Sequence, residues 1–229
     1  MIIYVCVFYL GCLVGSFFYC VAGLWTRGQF ALFARSKCDH CQNVLKWYEL
    51  LPIASYLIQR GKCHHCHYRL PSVYWLSECL TGCLFLHAFL HYDRLSSQLL
   101  VTFVLLLFMS YCDLCERWVP DVLQVCLLVW LGYHFTWQGQ DSALLLFSVA
   151  LFACFGLIFY LSQHDWIGGA DLKLLLILKL AIPVSQFPTF LFIASGLGLL
   201  FWYSGDFRSR GLPFIPFIAS SFYIMSIYF

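Results

Sequence analysis

Long apolar runs are the feature that most constrains the fold of this chain. Of its 229 residues, 62% are hydrophobic and only 10% are charged, whereas a soluble domain carries about 25% charged residues. Lipid cannot hydrogen-bond the backbone, so each run that crosses a bilayer must be helical. The sequence therefore predicts an all-α polytopic membrane protein with about eight transmembrane helices, or seven if the weak sixth run is not one. The runs lie near 2–25, 75–92, 97–115, 119–137, 142–162, 172–183, 186–204 and 211–228.

Basic residues are concentrated in the one long polar segment of the chain, 26–74, between the first and second predicted helices. Lysine and arginine in short loops mark the cytoplasmic side of a membrane protein. We therefore expect this segment to be cytoplasmic and the N-terminus to lie outside. No basic residue precedes Arg27 and no clear cleavage site follows, so the first run is interpreted as a retained helix and not as a signal peptide. The basic residues of the segment are Arg27, Arg35, Lys37, Lys46, Arg60, Lys62 and Arg69.

The same polar segment contains two Cys-x-x-Cys pairs, Cys38/Cys41 and Cys63/Cys66, separated by 21 residues. Each pair can present two thiolates from a tight turn, and together they complete the tetrahedral sulfur shell of a structural zinc site. Because cytoplasmic thiols stay reduced, a metal is favoured over a disulfide. The alternatives are a redox pair and a mixed cysteine and histidine shell. The neighbouring histidines are His40, His64, His65 and His67.

Two aspartates, Asp113 and Asp171, lie at the ends of predicted helices three and six, and the predicted topology places both at the inner membrane face. Ionisable groups near lipid are costly and usually serve a function. Two carboxylates that share a proton can act as general base and general acid on a peptide bond. Gly168 and Gly169 permit a close backbone approach before Asp171, and Lys173 can neutralise a neighbouring acid. The alternative is that both aspartates are interfacial or helix-capping residues.

Two further patterns are interpreted as packing. Gly11, Gly15 and Ser16 form a small-residue stripe on the first helix, which lets a neighbouring helix approach closely. Cys112 and Cys115 form a third Cys-x-x-Cys pair, but they have apolar flanks and no partner pair at a useful spacing. Cysteines in such surroundings behave as small buried hydrophobic residues.

Taken in order, these features resemble the type IV prepilin peptidase family over nearly the whole chain. The resemblance implies a multi-pass enzyme of the bacterial cytoplasmic (inner) membrane, with Asp113 and Asp171 as the catalytic pair and the four loop cysteines as zinc ligands. It also implies an N-terminal zinc-binding, methyltransferase-like region over 1–92 and an intramembrane aspartyl peptidase region over 93–229. The matching motifs are Gly15-Ser16-Phe17, the segment from Ser36 to Glu78, Asp113 with Pro120-Asp121, Gly168-Gly-Ala-Asp171-Leu-Lys173, and Pro213-Phe-Ile-Pro216-Phe.

The resemblance implies an activity as well. The protein would cleave the basic leader of type IV pilin-like precursors at the cytoplasmic membrane face and then methylate the new N-terminus with S-adenosylmethionine. Its partners would be these precursors and the lipid bilayer, without nucleic acid. Two other classes stay open from the residues alone. Three Cys-x-x-Cys pairs would suit a membrane thiol oxidoreductase, and a zinc loop on a plain helical bundle would suit a non-catalytic assembly protein.

Overall fold

The computed structural model describes residues 2–26, 28, 35–38, 40–91, 97–137, 150, 169–203 and 212–228. These residues belong to two compact units, Met1–Arg94 and Leu95–Phe229. Regular structure in the described residues is helical, and two isolated antiparallel bridges are the only β pairing among them. The predicted all-α class is therefore confirmed.

The first unit is built on two long helices, α1 (Ile2–Thr26) and α3 (Val73–Leu90). The segment between them carries a short 3-10 turn (Trp47–Leu50) and a short helix α2 (Ala54–Ile58). Neither element was predicted, because both are too short to show a periodic apolar pattern.

Helices α1 and α3 pack closely because glycines line their contact. A Cβ atom added at Gly11 would lie 2.7 Å from the Cβ of Phe85, and one added at Gly82 would lie 2.6 Å from the Sγ of Cys12. At Gly15 the added atom would lie 2.6 Å from the hydroxyl of Thr81. The predicted packing role of the small-residue stripe on α1 is thus confirmed for both of its glycines.

The second unit contains five described helices: α4 (Ser97–Glu116), α5 (Asp121–Trp137), α6 (Gly169–Leu178), α7 (Phe187–Tyr203) and α8 (Ile215–Tyr228). Helix α5 packs against both α4 and α6, while α8 packs against α4 and α7. Helices α4 and α5 are adjacent in sequence, and a short link that contains Pro120 joins the end of one to the start of the other.

Three of the described helices are long and apolar enough to cross a membrane: Ile2–Thr26, Val73–Leu90 and Gln98–Glu116. Shorter apolar helices cover Asp121–Tyr133, Phe187–Tyr203 and Ile215–Ile227. Apart from residue 150, the predicted fifth span, 142–162, lies outside the described residues, and the count of eight stays a prediction. Large apolar side chains such as Val122, Val129 and Phe192 are 61%, 66% and 79% exposed, as expected for helices whose solvent is lipid.

Helix boundaries differ from the sequence prediction most at α6 and α8. Helix α6 begins at Gly169 and not near 172. Helix α6 ends at Leu178 and not near 183, since the chain closes into a tight turn in which Lys179 Nζ donates to the carbonyl of Ile182 at 3.2 Å. Helix α8 begins at Ile215 and not near 211, since Pro213 disfavours helical geometry in the residue before it. Pro216 is tolerated because it lies in the first turn, where its missing N–H would have no partner within the helix.

The α1–α3 contact generates a prediction about glycine substitutions. Gly11→Ala should lower the thermal stability of the purified protein in detergent, because overpacking a close contact costs about 1–3 kcal/mol. Gly196→Ala is the matched control, since an added Cβ at this helical position in α7 meets no described residue within 4 Å. It should leave stability unchanged or raise it, because alanine is favoured over glycine in a helix by about 0.5–1 kcal/mol. Equal melting temperatures for the two variants would contradict the close packing of α1 and α3.

Candidate functional site

The four cysteines of the polar loop come together in the first unit. Their sulfur atoms all lie within 4.8 Å of one another, and Cys38 Sγ is 4.0 Å from Cys66 Sγ. Zinc bound by four thiolates at about 2.3 Å in a tetrahedron would hold the sulfurs about 3.8 Å apart. None of the described cysteines forms a disulfide. The arrangement therefore has the ligand set and nearly the spacing of a closed four-sulfur metal site.

Both cysteine pairs are held by the same local backbone structure. In each, the residue after the second cysteine has a left-handed φ and donates its N–H to the carbonyl of the first cysteine. The first cysteine in turn donates its N–H to the carbonyl five residues on, and the flanking residues form an isolated bridge. The residues are Cys38, Gln42 (φ 58°), Asn43 and the Lys37–Val44 bridge in the first pair, and Cys63, His67 (φ 56°), Tyr68 and the Lys62–Arg69 bridge in the second.

Backbone N–H groups in these turns also set the electrostatics of the sulfurs. The pKa of the Cys63 thiol is lowered to about 7, chiefly because the N–H of Cys66 donates a hydrogen bond to its sulfur. Burial raises the pKa of Cys38, against hydrogen bonds from the N–H groups of Cys41 and His40. Hydrogen bonds that favour a thiolate prepare it to act as a metal ligand.

The alternative of a mixed cysteine and histidine shell finds no support in the described residues. The group that could hold a metal consists of the four cysteines alone. His40 stacks instead on the ring of Tyr68, with ring centroids 4.6 Å apart and planes 9° from parallel. Because these residues belong to different cysteine pairs, the stack also ties the two halves of the site together.

Two buried glutamates hold the polar loop in place, and this role was not predicted. Glu49 accepts a hydrogen bond from the backbone N–H of Lys46 at 2.7 Å, and Glu78 accepts one from the N–H of Ile53 at 2.7 Å. Both carboxyl groups are buried, and Ile53 has a left-handed φ of 61°. The available signal was the position of Glu78 within an apolar predicted helix, where an acid needs a partner.

Asp113 lies in the last turn of α4 and is 7% exposed. Its Oδ2 accepts a hydrogen bond of 3.1 Å from the backbone N–H of Ile215, the first residue of α8. The first N–H groups of a helix have no partner inside it and carry partial positive charge. Asp113 is therefore a buried carboxyl group turned toward a helix N-terminus, and the hydrogen bond from Ile215 fixes one of its oxygens.

Asp171 lies in the first turn of α6 and is partly buried. The residue before it, Ala170, accepts a hydrogen bond on its carbonyl from Gln124 Nε2 of α5 at 3.1 Å. Lys173, two residues further on, pairs with Asp121 at the start of α5 through a 2.9 Å contact. Both partners of that ion pair are exposed, at 58% and 75%. The first turns of α5 and α6 are thus linked twice beside Asp171.

These contacts place Asp113 and Asp171 at the same end of α5. Asp113 lies just before the short link into α5, and Asp171 adjoins the residue that contacts Gln124 in the first turn of α5. Among the expected supporting residues, Gly169 begins α6, and a Cβ added there would meet no described residue within 4 Å. Gly168 lies outside the described residues. The catalytic roles of these residues stay a proposal.

Comparison with known proteins identifies the family. Residues 9–92 match the bacterial peptidase A24 N-terminal domain, and residues 100–203 match the type IV leader peptidase family. A prepilin leader peptidase/N-methyltransferase of Bacillus subtilis is 30% identical over 96% of this chain and 92% of its own length. The chain belongs to the type IV leader peptidase family.

Other members of the family are longer than this chain. A prepilin leader peptidase/N-methyltransferase of Burkholderia pseudomallei is 32% identical over 81% of this chain, but only 64% of its length is covered. One of Vibrio cholerae is 28% identical over 80% of this chain and 75% of its length. No solved structure matches the chain.

The cysteine geometry predicts that the protein binds a metal ion through the four loop cysteines and through no other cysteine. We predict that the purified wild-type protein carries zinc and that Cys38→Ser does not, because removing a sulfur opens the closed shell. Cys126→Ser, on an exposed position of α5, is the matched control and should retain it. Elemental analysis of both variants gives the answer, and equal zinc contents in the two would contradict the site.

Proposed function

We propose that Asp113 and Asp171 are the catalytic carboxylates of a prepilin leader peptidase. The observation that carries the proposal is their place at one end of α5, on two helices that both pack against it. Family membership supports the activity, since the relatives are named as prepilin leader peptidases. The substrate would be a pilin-like precursor whose leader is cut from the apolar helix that follows.

The chemistry follows from one proton shared between two carboxylates. Like charges that lie close together do not both ionise readily, so one carboxylate is ionised while the other keeps a proton. The ionised carboxylate takes a proton from water, and the resulting hydroxide adds to the carbonyl carbon of the scissile peptide. The protonated carboxyl polarises that carbonyl and then supplies the proton that leaves with the amine as the C–N bond breaks.

The surroundings of the two aspartates differ. The N–H of Ile215 fixes one oxygen of Asp113. Asp171 lies in the first turn of α6 beside Gly169, where an added Cβ would meet no described residue within 4 Å, so an extended substrate backbone has room to approach. We assign the shared proton to the pair and not to one of the two aspartates.

The sidedness of the site follows from the helix order once the polar loop is taken as cytoplasmic. Helix α3 then runs outward from the loop, α4 returns inward, and Asp113 in its last turn lies at the inner face. The Gln124–Ala170 contact brings Asp171 to the same end of α5. A precursor with a short basic leader and an apolar helix would have its scissile bond at this face, with the helix in the bilayer.

The zinc site has a structural role in this proposal. Four sulfur ligands leave no open position for water or substrate, so the metal would fold the loop and take no part in cleavage. Cys38, Cys41, Cys63 and Cys66 would be its ligands. No observation favours the thiol oxidoreductase class, because the four loop thiols converge on one point as ligands do and Cys112 is fully buried.

Methylation is supported by the names of the relatives, which include N-methyltransferase. S-adenosylmethionine carries a sulfonium cation, and an acidic or aromatic lining would suit it. An open groove in the loop is lined by Trp47 but also by Arg35 and Lys46, and no acidic side chain lines it. This groove does not fit the sulfonium, so we assign no residue to S-adenosylmethionine.

The aspartyl proposal predicts that Asp113→Asn and Asp171→Asn each abolish cleavage of a co-expressed pilin-like precursor. Asparagine keeps the shape of the side chain but can neither hold nor release the shared proton. The loss should be at least about a hundredfold, the range that a general acid or base supplies. Immunoblots of the precursor and its shorter product measure it.

Asp121→Asn is the matched control for these two variants. It removes a carboxylate at the same end of α5, but one that is exposed and paired with Lys173 at the surface. Exposed pairs contribute about 0–1 kcal/mol, so cleavage should stay close to the wild-type rate. Normal processing by either the Asp113 or the Asp171 variant would contradict the two-carboxylate mechanism.

A further inference from the structure

Gln124 is a buried polar residue in the apolar helix α5 that the mechanism above does not use. Its side chain is 3% exposed, and its Nε2 donates to the carbonyl of Ala170 at 3.1 Å. That carbonyl belongs to the peptide group that joins Ala170 to Asp171. The amide of Gln124 therefore holds the backbone directly before a proposed catalytic carboxylate.

The other end of the Gln124 side chain adds a second observation. Its Oε1 is buried and has no hydrogen-bond donor among the described residues. A buried acceptor without a donor destabilises a fold, and an apolar side chain of similar length would avoid that cost. A buried unsatisfied group in a folded protein requires an explanation, and a functional role for the residue is one such explanation.

We propose that Gln124 is a positioning residue for Asp171, which it holds in place by clamping the Ala170–Asp171 peptide to α5. This inference rests on the proposed function, because it assigns Asp171 to the cleavage site. Gln124 and Asp121 lie three residues apart on α5, and their partners Ala170 and Lys173 lie three residues apart on α6. Residues at this spacing share a helix face, so the two contacts form successive rungs between the helices.

The two rungs differ in strength because they differ in exposure. The Lys173–Asp121 rung is in contact with solvent and is screened by salt. The Gln124–Ala170 rung is part-buried, with its donor side chain 3% exposed, and a hydrogen bond shielded from water is electrostatically stronger than one in water. The less exposed rung therefore determines how α6 begins, and with it the direction of the Asp171 side chain.

Two variants separate positioning from a structural role. Gln124→Met keeps the length of the side chain and removes both polar atoms, so the fold loses the clamp and also the unsatisfied oxygen. We expect its melting temperature to stay near that of the wild type. We expect kcat for leader cleavage to fall roughly 10- to 100-fold, as small misplacements of a catalytic group do, with KM changed by less than about twofold.

Gln124→Glu adds a second readout, the pH dependence of cleavage, which a purely structural role of Gln124 would leave unchanged. A protonated glutamic acid can donate to the Ala170 carbonyl as Gln124 does, whereas an ionised one repels that carbonyl oxygen. Relative to the wild type, this variant should be nearly normal at low pH and should lose activity as pH rises and the new carboxyl ionises. The charged groups at this end of α5 and of the helices packed against it are Asp113, Glu116, Arg117, Asp121, Asp171 and Lys173.

Hydrogen–deuterium exchange of the intact protein in detergent tests the clamp without reference to cleavage. In Gln124→Met, amides in 169–174 should exchange faster than in the wild type, while those of α7 stay unchanged. Unchanged exchange, unchanged kcat, or a Gln124→Glu defect of the same size at every pH would each overturn the proposal. If the wild type cleaves no precursor, the proposed function fails, and the exchange experiment still decides whether Gln124 holds α6.

Discussion

The packing of α5 between α4 and α6 is the arrangement on which the rest of the second unit depends. Asp113 and Asp171 are far apart in sequence, but both lie at the same end of α5. A short stretch of chain joins α4 to α5, and two side-chain contacts join α5 to α6. These two contacts join the first turn of α6 to the first turn of α5.

Three buried carboxyl groups, in both units, accept hydrogen bonds from backbone N–H groups. Asp113 accepts one from Ile215, Glu78 from Ile53 and Glu49 from Lys46. A buried ion pair loses much of its Coulomb energy to desolvation, whereas a backbone N–H is present in any case and needs a partner. Such contacts hold a carboxyl group in a defined direction, which suits Asp113.

The convergence of the four loop cysteines could be predicted from sequence because the turns that hold two Cys-x-x-Cys pairs are encoded by local spacing. The family and the apolar helices were also predictable, because the order of the motifs and the long apolar runs are both visible in the sequence. The contact between Asp113 and Ile215 was not, because it joins residues 102 positions apart and a backbone donor leaves no mark in the sequence. Gln124 was missed because one polar residue in an apolar run has no periodic signal, and its meaning depends on which helix it meets.

The central claim is that Asp113 and Asp171 act as one pair that shares a proton. The pH dependence of single-turnover leader cleavage by the purified wild-type enzyme tests it most directly. A pair that needs one ionised and one protonated carboxyl predicts a bell-shaped rate profile, which falls on the acidic side as the base is protonated and on the alkaline side as the acid is lost. A rate that rises with pH to a plateau, and never falls while enzyme and precursor stay folded, would contradict the shared proton.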